Sequence, residues 1–248
     1  MKDTEEGIWR ADMLERYPMD SNAMVSDLDP ERRDLLLTYV EERTLSEEIR
    51  GMLAEVVRRH PRYLRVKETF ETLEAYRRIG QDVYECWRDG FVDTIYDLCA
   101  GHGLLGLLMA YRFPKLSVEC IDAERRPAFG HYMDVAADVG IELSNIRYVE
   151  CDLADAEIAP RSYVICVHAC NELTQIALEK AAEADACYGV MPCCIRDGIY
   201  FERIKHADDA TRYAAAVGFI GGLYGATKLT AIDERITNRN LIILRRPR

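Results

Sequence analysis

The stretch Asp93-Thr-Ile-Tyr-Asp97-Leu-Cys99-Ala-Gly101-His-Gly103-Leu-Leu-Gly106 decides how this chain is to be read. A short β-branched and aromatic run leads into glycines and continues as an apolar segment, Leu104 to Tyr111. That order predicts a strand, a tight turn and the start of a helix. Glycines at 101 and 103 lack the Cβ atoms that would keep a ligand off the backbone, and a helix N-terminus presents N–H groups. Taken literally the stretch is G-x-G-x-x-G, the dinucleotide fingerprint, with an acid, Asp122, about 20 residues further on. Its flanks point elsewhere. A nicotinamide-binding strand enters its turn through apolar residues, whereas Asp97 sits just before the first glycine. An acid, glycines, then a second acid after the next strand suit a ligand with a cationic amine at one end and a ribose diol at the other. A buried turn without a ligand would need neither both acids nor all the glycines.

Around this stretch lies a chain of 248 residues, long enough for one α/β domain and a smaller addition. Its 49% hydrophobic and 30% charged content are those of a globular protein. No apolar run reaches the roughly 20 residues of a membrane span, and Met-Lys-Asp-Thr-Glu-Glu is no signal peptide, so a cytoplasmic protein without a membrane partner is expected. Nine cysteines, most inside apparent strands, suit reduced buried thiols in that compartment. A formal net charge of −11 repels a nucleic-acid backbone over most of the surface.

Residues 1–28 are acidic and mixed and read as a poorly ordered tail; 29–90 read as a helical cap module, and 91–248 as the ligand-binding domain. Asp29-Pro30 opens a first helix to Arg43, and Thr44-Leu-Ser-Glu47 is a capping box for a second, to Arg59. A third, about 64–87, carries Val66, Phe70, Leu73, Tyr76, Ile79, Val83 and Trp87 at helical spacing. Between them lies the dense basic stretch Arg58 to Lys67. It is a solvated helix end complementing a dipole, or else a contact for an anionic partner such as RNA with Tyr63 available to stack; the net charge does not favour RNA.

From Val92 strands and helices alternate, the pattern of a parallel doubly wound sheet. Strands are expected at 93–99, 117–121, 146–151, 162–168 and 186–191, and helices at 103–112, 129–139, 173–184 and 210–224. Two late strands, 228–236 and 241–244, are joined by only Thr237 to Asn240, too short for a crossover, and so should pair antiparallel. A nicotinamide domain normally keeps its sixth strand parallel.

Together these features resemble the class I S-adenosylmethionine-dependent methyltransferases. The resemblance implies a Rossmann-like seven-stranded α/β sheet, five parallel strands plus an antiparallel C-terminal hairpin, with S-adenosyl-L-methionine as cofactor. It further implies cofactor contacts from Asp97, Cys99, Gly101, Gly103, Asp122, Ala123, Asp152, Leu153 and His168. Asp122 takes the ribose hydroxyls. Asp152 meets the adenine or, on the bare reading of the residues, caps a helix.

His168-Ala-Cys170 after strand four and Pro192-Cys193-Cys194 after strand five resemble a branch of methyltransferase-like proteins. That branch includes a tRNA methyltransferase group and the glutathione S-transferase C-terminal domain-containing protein. It usually places a glycine after the first motif and an acid some residues later; here Asn171 and Gln175 stand there. Candidates for acting on the acceptor are His168 as a base, or else a hydrogen-bonded strand-end histidine, with Asn171 and Glu172 orienting it. Cys170, Cys193, Cys194 and His168 also have zinc-ligand chemistry. Vicinal cysteines and the absence of C-x-x-C speak against it, and no metal is expected. The acceptor (RNA, protein or small molecule) stays open. The alternatives are an NAD(P)-dependent oxidoreductase and a methyltransferase-like binding protein without catalysis.

Overall fold

Seven strands form one sheet: β1 (Thr94–Leu98), β2 (Ser117–Asp122), β3 (Ile146–Glu150), β4 (Ser162–Val167), β5 (Cys187–Met191), β6 (Lys228–Ala231) and β7 (Leu241–Arg245). The computed structural model describes residues 23–43, 46–167, 169–170, 172–195 and 206–246. The strand order is β3-β2-β1-β4-β5-β7-β6, with β1 to β5 mutually parallel and β7 antiparallel to both β5 and β6. This is the expected sheet with its closing hairpin. The order runs outward from β1 in both directions, which leaves a crevice at the tips of β1 and β4, where α/β sheets bind ligands.

Side chains alternate between faces with period two. Tyr163, Ile165 and Val167 of β4 join one core and Val164 and Cys166 the other. On the first face pack α1 (Pro30–Arg43), α2 (Glu47–Arg59), α3 (Val66–Arg88), α4 (Leu104–Arg112) and α5 (Pro127–Asp138). On the second face pack α6 (Glu172–Glu183) and α7 (Asp209–Leu223).

The long helix α3 is pinned at its far end. The Tyr163 hydroxyl donates to Asp82 at 2.8 Å, and Arg246 donates to the same buried carboxylate at 2.7 Å and to Glu85 at 2.5 Å. Losing Arg246 would leave the buried Asp82 carboxylate without a counter-charge, a loss of about 3–5 kcal/mol.

The structure corrects three expectations. The irregular tail does not extend through 28: Val25 donates to Leu64 O at 2.8 Å, Met24 bridges Arg65, and Val25 and Leu28 are buried, because these apolar residues find a strand-like partner in the segment before α3. The cap of α2 is Ser46, whose hydroxyl accepts from Ile49 N–H at 3.3 Å; Thr44 lies outside the described residues. Strand β6 stops at Ala231, not 236, because the Asp233 carboxylate accepts from the Arg235 N–H at 2.9 Å and pairs with its guanidinium, folding 233–236 into a turn. Among the described residues no helix is long and apolar enough to cross a membrane.

Candidate cofactor and acceptor site

The alternation of β1 sends Asp97 to the face covered by α4, where it is buried. Its Oδ2 accepts from the Gly106 N–H at 3.0 Å. Burial pushes its carboxyl up to about 7; the Gly106 hydrogen bond opposes this, and the Asp122 charge adds to it. The chain then turns through two left-handed residues, Cys99 (φ 57°) and Gly101 (φ 54°). For Cys99 that conformation is strained, a feature concentrated at ligand-binding turns.

The three glycines do different things. A Cβ on Gly101 would meet nothing within 4 Å, so this one opens onto free space. A Cβ on Gly103 would lie 2.5 Å from the Phe129 ring, and one on Gly106 would strike Cys120 and come within 3.1 Å of the Asp97 carboxylate. At Gly103 the amide is bonded to Ala100 O at 2.8 Å, and the missing side chain admits Phe129.

Two amides at the helix N-terminus are already bonded. Leu104 N–H donates to His102 Nδ1 at 3.1 Å, and Gly106 N–H is held by Asp97. A pyrophosphate would need those amides and would face a buried carboxylate instead.

Asp122 closes the turn from the β2 side, its Oδ2 accepting from Gly101 N–H at 2.8 Å and its Oδ1 from Glu124 N–H at 3.4 Å. Each oxygen keeps a second lone pair for a ribose hydroxyl. From β3, Tyr148 donates to Gly101 O at 2.7 Å. Asp152 caps the short turn Leu153–Asp155, accepting from Ala154 N–H at 2.9 Å, so its capping role is the observed one. Leu153 is buried in the second core, and Ala123 is exposed beside Asp122.

A cavity of about 500 Å³ opens at this turn. Asp97, Cys99, Ala100, Gly101, His102, Leu105 and Val167 form its floor, and Arg126, Pro127 and Ala128 one side. Met24, Arg62, Tyr63, Arg65, Glu68 and Thr72 of the N-terminal helical region form the opposing wall. Gly103, Asp122, Ala123, Asp152 and Leu153 lie outside this lining.

Sequence reasoning missed His102, Glu68 and Arg126 at this cavity. His102 could have been suspected from its place between the two glycines; the others come from distant elements and gave no signal. Burial pushes the His102 imidazole down to about 4, so it is neutral, with Nδ1 accepting from Leu104 and Nε2 4.0 Å from Glu68. Burial raises the Glu68 carboxyl, against the pull of Arg65 and Lys67.

Much of the basic stretch is neutralised locally, Arg58 by Glu55 at 2.6 Å and Arg59 by Asp138 at 2.5 Å. Tyr63 packs on His131 with ring centroids 4.7 Å apart. Of the proposed acceptor residues, Glu172 is exposed at the first turn of α6, while His168 and Asn171 lie outside the described residues.

A family model described as a methyltransferase domain matches residues 66–197. The chain belongs to this methyltransferase family. The family match starts at the first residue of α3, so the long helix that walls the cavity lies within the methyltransferase domain. The residues present fit S-adenosylmethionine as a group to be held here: an open glycine at the turn and a buried acid for an ammonium.

Among curated proteins, the Glutathione S-transferase C-terminal domain-containing protein of Xenopus laevis is 26% identical over 102 residues, 41% of this chain and 16% of the relative. The Drosophila melanogaster homolog is also 26% identical over 102 residues, 41% of this chain and 17% of its own. The matched part is thus about a sixth of these relatives' length. Among solved structures, the S-adenosylmethionine-dependent methyltransferase SibL in its apo form has a TM-score of 0.44 at 17% identity, covering 95% of this chain and 65% of that one. A SAM dependent methyltransferase from Aquifex aeolicus has a TM-score of 0.44 at 15% identity, covering 70% and 90%.

Proposed function

We propose that this methyltransferase domain binds S-adenosylmethionine across the tips of β1 and β2 and transfers its methyl group to an acceptor admitted from the β4 side. The buried Asp97 at the head of α4 carries this reading. A carboxylate there is poorly placed for a dinucleotide phosphate and well placed for the amino group of a methionine moiety. When bound, the cofactor supplies a methyl group already activated on a sulfonium. Asp97 holds the ammonium, the Gly101 turn passes beneath the cofactor, and Asp122 accepts from the ribose hydroxyls. Asp152, Leu153 and Ala123 flank the adenine side.

Positioning dominates such a transfer, and proton removal from the acceptor is a smaller contribution. Glu172, with His168 and Asn171 from the sequence motif, is assigned to orient the acceptor. The cellular site proposed is the cytoplasm, in keeping with nine cysteines that form no disulfide. A second reading, cofactor binding without turnover, is favoured by Asn171 and Gln175 standing where the related branch has a glycine and an acid.

One experiment addresses both. Labelled S-adenosylmethionine is incubated with cell extract separated into RNA, protein and metabolite fractions, comparing wild type with Asp122→Ala. Label entering one fraction only with wild type supports transfer and names the acceptor class. Binding without label in any fraction supports the second reading. Asp122→Ala should weaken binding of S-adenosylhomocysteine by about 1.5–3 kcal/mol, as expected for a charge-assisted hydrogen-bonding group; unchanged affinity would place the ribose elsewhere.

A further inference from the structure

The tips of β4 and β5 bring together three thiols that methyl transfer does not use. Cys170 follows β4, and Cys193 and Cys194 follow β5; their sulfurs all lie within 4.8 Å of one another, with Cys170 and Cys193 at 3.3 Å. We propose that Cys170, Cys193 and Cys194 form a site for a thiophilic metal ion, zinc foremost, tying the two strand-end loops together beside the cofactor cavity.

Around a tetrahedral ion with metal–sulfur bonds of about 2.3 Å, ligand sulfurs stand about 3.8 Å apart. One pair stands at 3.3 Å and none is more than 4.8 Å apart, so small side-chain rotations suffice to close the site. The sequence expectation of no metal rested on the vicinal pair and on the absence of C-x-x-C; in a strand, neighbouring residues would also point to opposite faces. Strand β5 ends at Met191, however, and both cysteines lie in the loop beyond it, released from that alternation.

The loops are held in place independently of the thiols. Thr174 Oγ1 donates to Ala169 O at 2.6 Å, and the Tyr213 hydroxyl donates to Pro192 O at 3.0 Å. Cys170 and Cys194 are exposed and Cys193 partly buried, which gives an ion a path in. On the inner side, Cys166 is hydrogen-bonded to Cys99, a residue of the cavity floor. Three ligands among the described residues leave a fourth position for a further ligand, water or an incoming group. Cysteine binds metal as the thiolate, so metal uptake must displace protons and should strengthen as pH rises.

The test uses the full chain, reduced with a phosphine and stripped of metal. Zinc is titrated against a chromophoric chelator, and cobalt(II) is added separately as a spectroscopic probe. One equivalent of zinc per chain is expected, together with thiolate-to-cobalt charge-transfer bands. Cys193→Ser should weaken zinc binding on the order of tenfold or more. The triple Cys170→Ser/Cys193→Ser/Cys194→Ser variant should lose the cobalt bands, and Cys151→Ser should keep them. Zinc should also protect Cys170, Cys193 and Cys194 of the wild-type chain from alkylation, read by peptide mass spectrometry, which needs no variant to fold. Absence of thiolate–cobalt bands, equal uptake by the triple variant, or equal alkylation with and without zinc would each overturn the site. None of these readouts depends on methyl transfer.

Discussion

Two tyrosines brace the two rims of one cleft. On the β1–β2 rim, Tyr148 donates to Gly101 O at 2.7 Å, where the Asp122 carboxylate also holds the Gly101 amide at 2.8 Å. On the β4–β5 rim, Tyr213 donates to Pro192 O at 3.0 Å and accepts from Leu241 N–H at 3.2 Å, while the loops beyond end in thiols. The first rim is set by charge and backbone hydrogen bonds before any ligand arrives, as suits a ligand whose shape never changes. The second has a fixed base and a soft, polarisable edge, whose arrangement depends on what it coordinates. Preorganisation therefore belongs to the cofactor side of the cleft.

The largest test of that contrast is Gly103→Ala. A left-handed residue at φ 71° combined with a Cβ driven into Phe129 should destabilise the fold by about 2–5 kcal/mol, measured by denaturant unfolding. Stability unchanged by this substitution would mean that the first rim is not rigid.

Next comes pH. The Asp97 carboxyl titrates near 7 in the fold against an ordinary 3.8. With the folded value raised, its contribution to stability is fully present below about pH 4 and is lost as pH rises through 7. A ligand ammonium needs the ionised form, so S-adenosylhomocysteine affinity should fall about tenfold per pH unit below 7 and level off above it. Asp97→Asn should flatten this profile in calorimetric titrations while leaving the ligand-free protein no less stable at pH 8. A profile unchanged in the variant would assign the proton to another group.

Smaller effects separate the two tyrosines. Tyr213→Phe strands the buried Pro192 carbonyl and the Leu241 amide and should lower stability by about 1–3 kcal/mol, with cofactor affinity retained. Tyr148→Phe should show the reverse, a loss of about 0.5–1.5 kcal/mol in S-adenosylhomocysteine binding with little change in the melting temperature. If both variants moved the same observable, the two rims would be one unit.

The sheet was legible because strand alternation and helix periodicity are local, and the short link between the last strands forced their antiparallel pairing even though β6 ends earlier than expected. Asp97 was legible from its place before the glycines, and Gly101 from the turn itself. At Gly103 the packing role was not legible, because a missing side chain serves ligand approach and close packing equally well and Phe129 lies more than twenty residues away in sequence. Ser46 and Thr44 are both competent caps, and the choice falls to where the helix hydrogen bonds begin. Glu68 and Arg126 reach the cavity from α3 and the segment before α5 and carry no motif. The thiol cluster depends on β5 stopping two residues before Cys193, a boundary that composition does not mark.

Met24 lines the cavity because Ala23 accepts from the Val66 N–H at 3.0 Å and Met24 itself bridges Arg65. The short segment 23–28 is thus part of what shapes the pocket. A version trimmed to start at Asp29 would keep every strand yet lose Met24 and the backbone bonds that brace Leu64 to Val66, so ligand studies and fusion designs should preserve the residues from Ala23 onward.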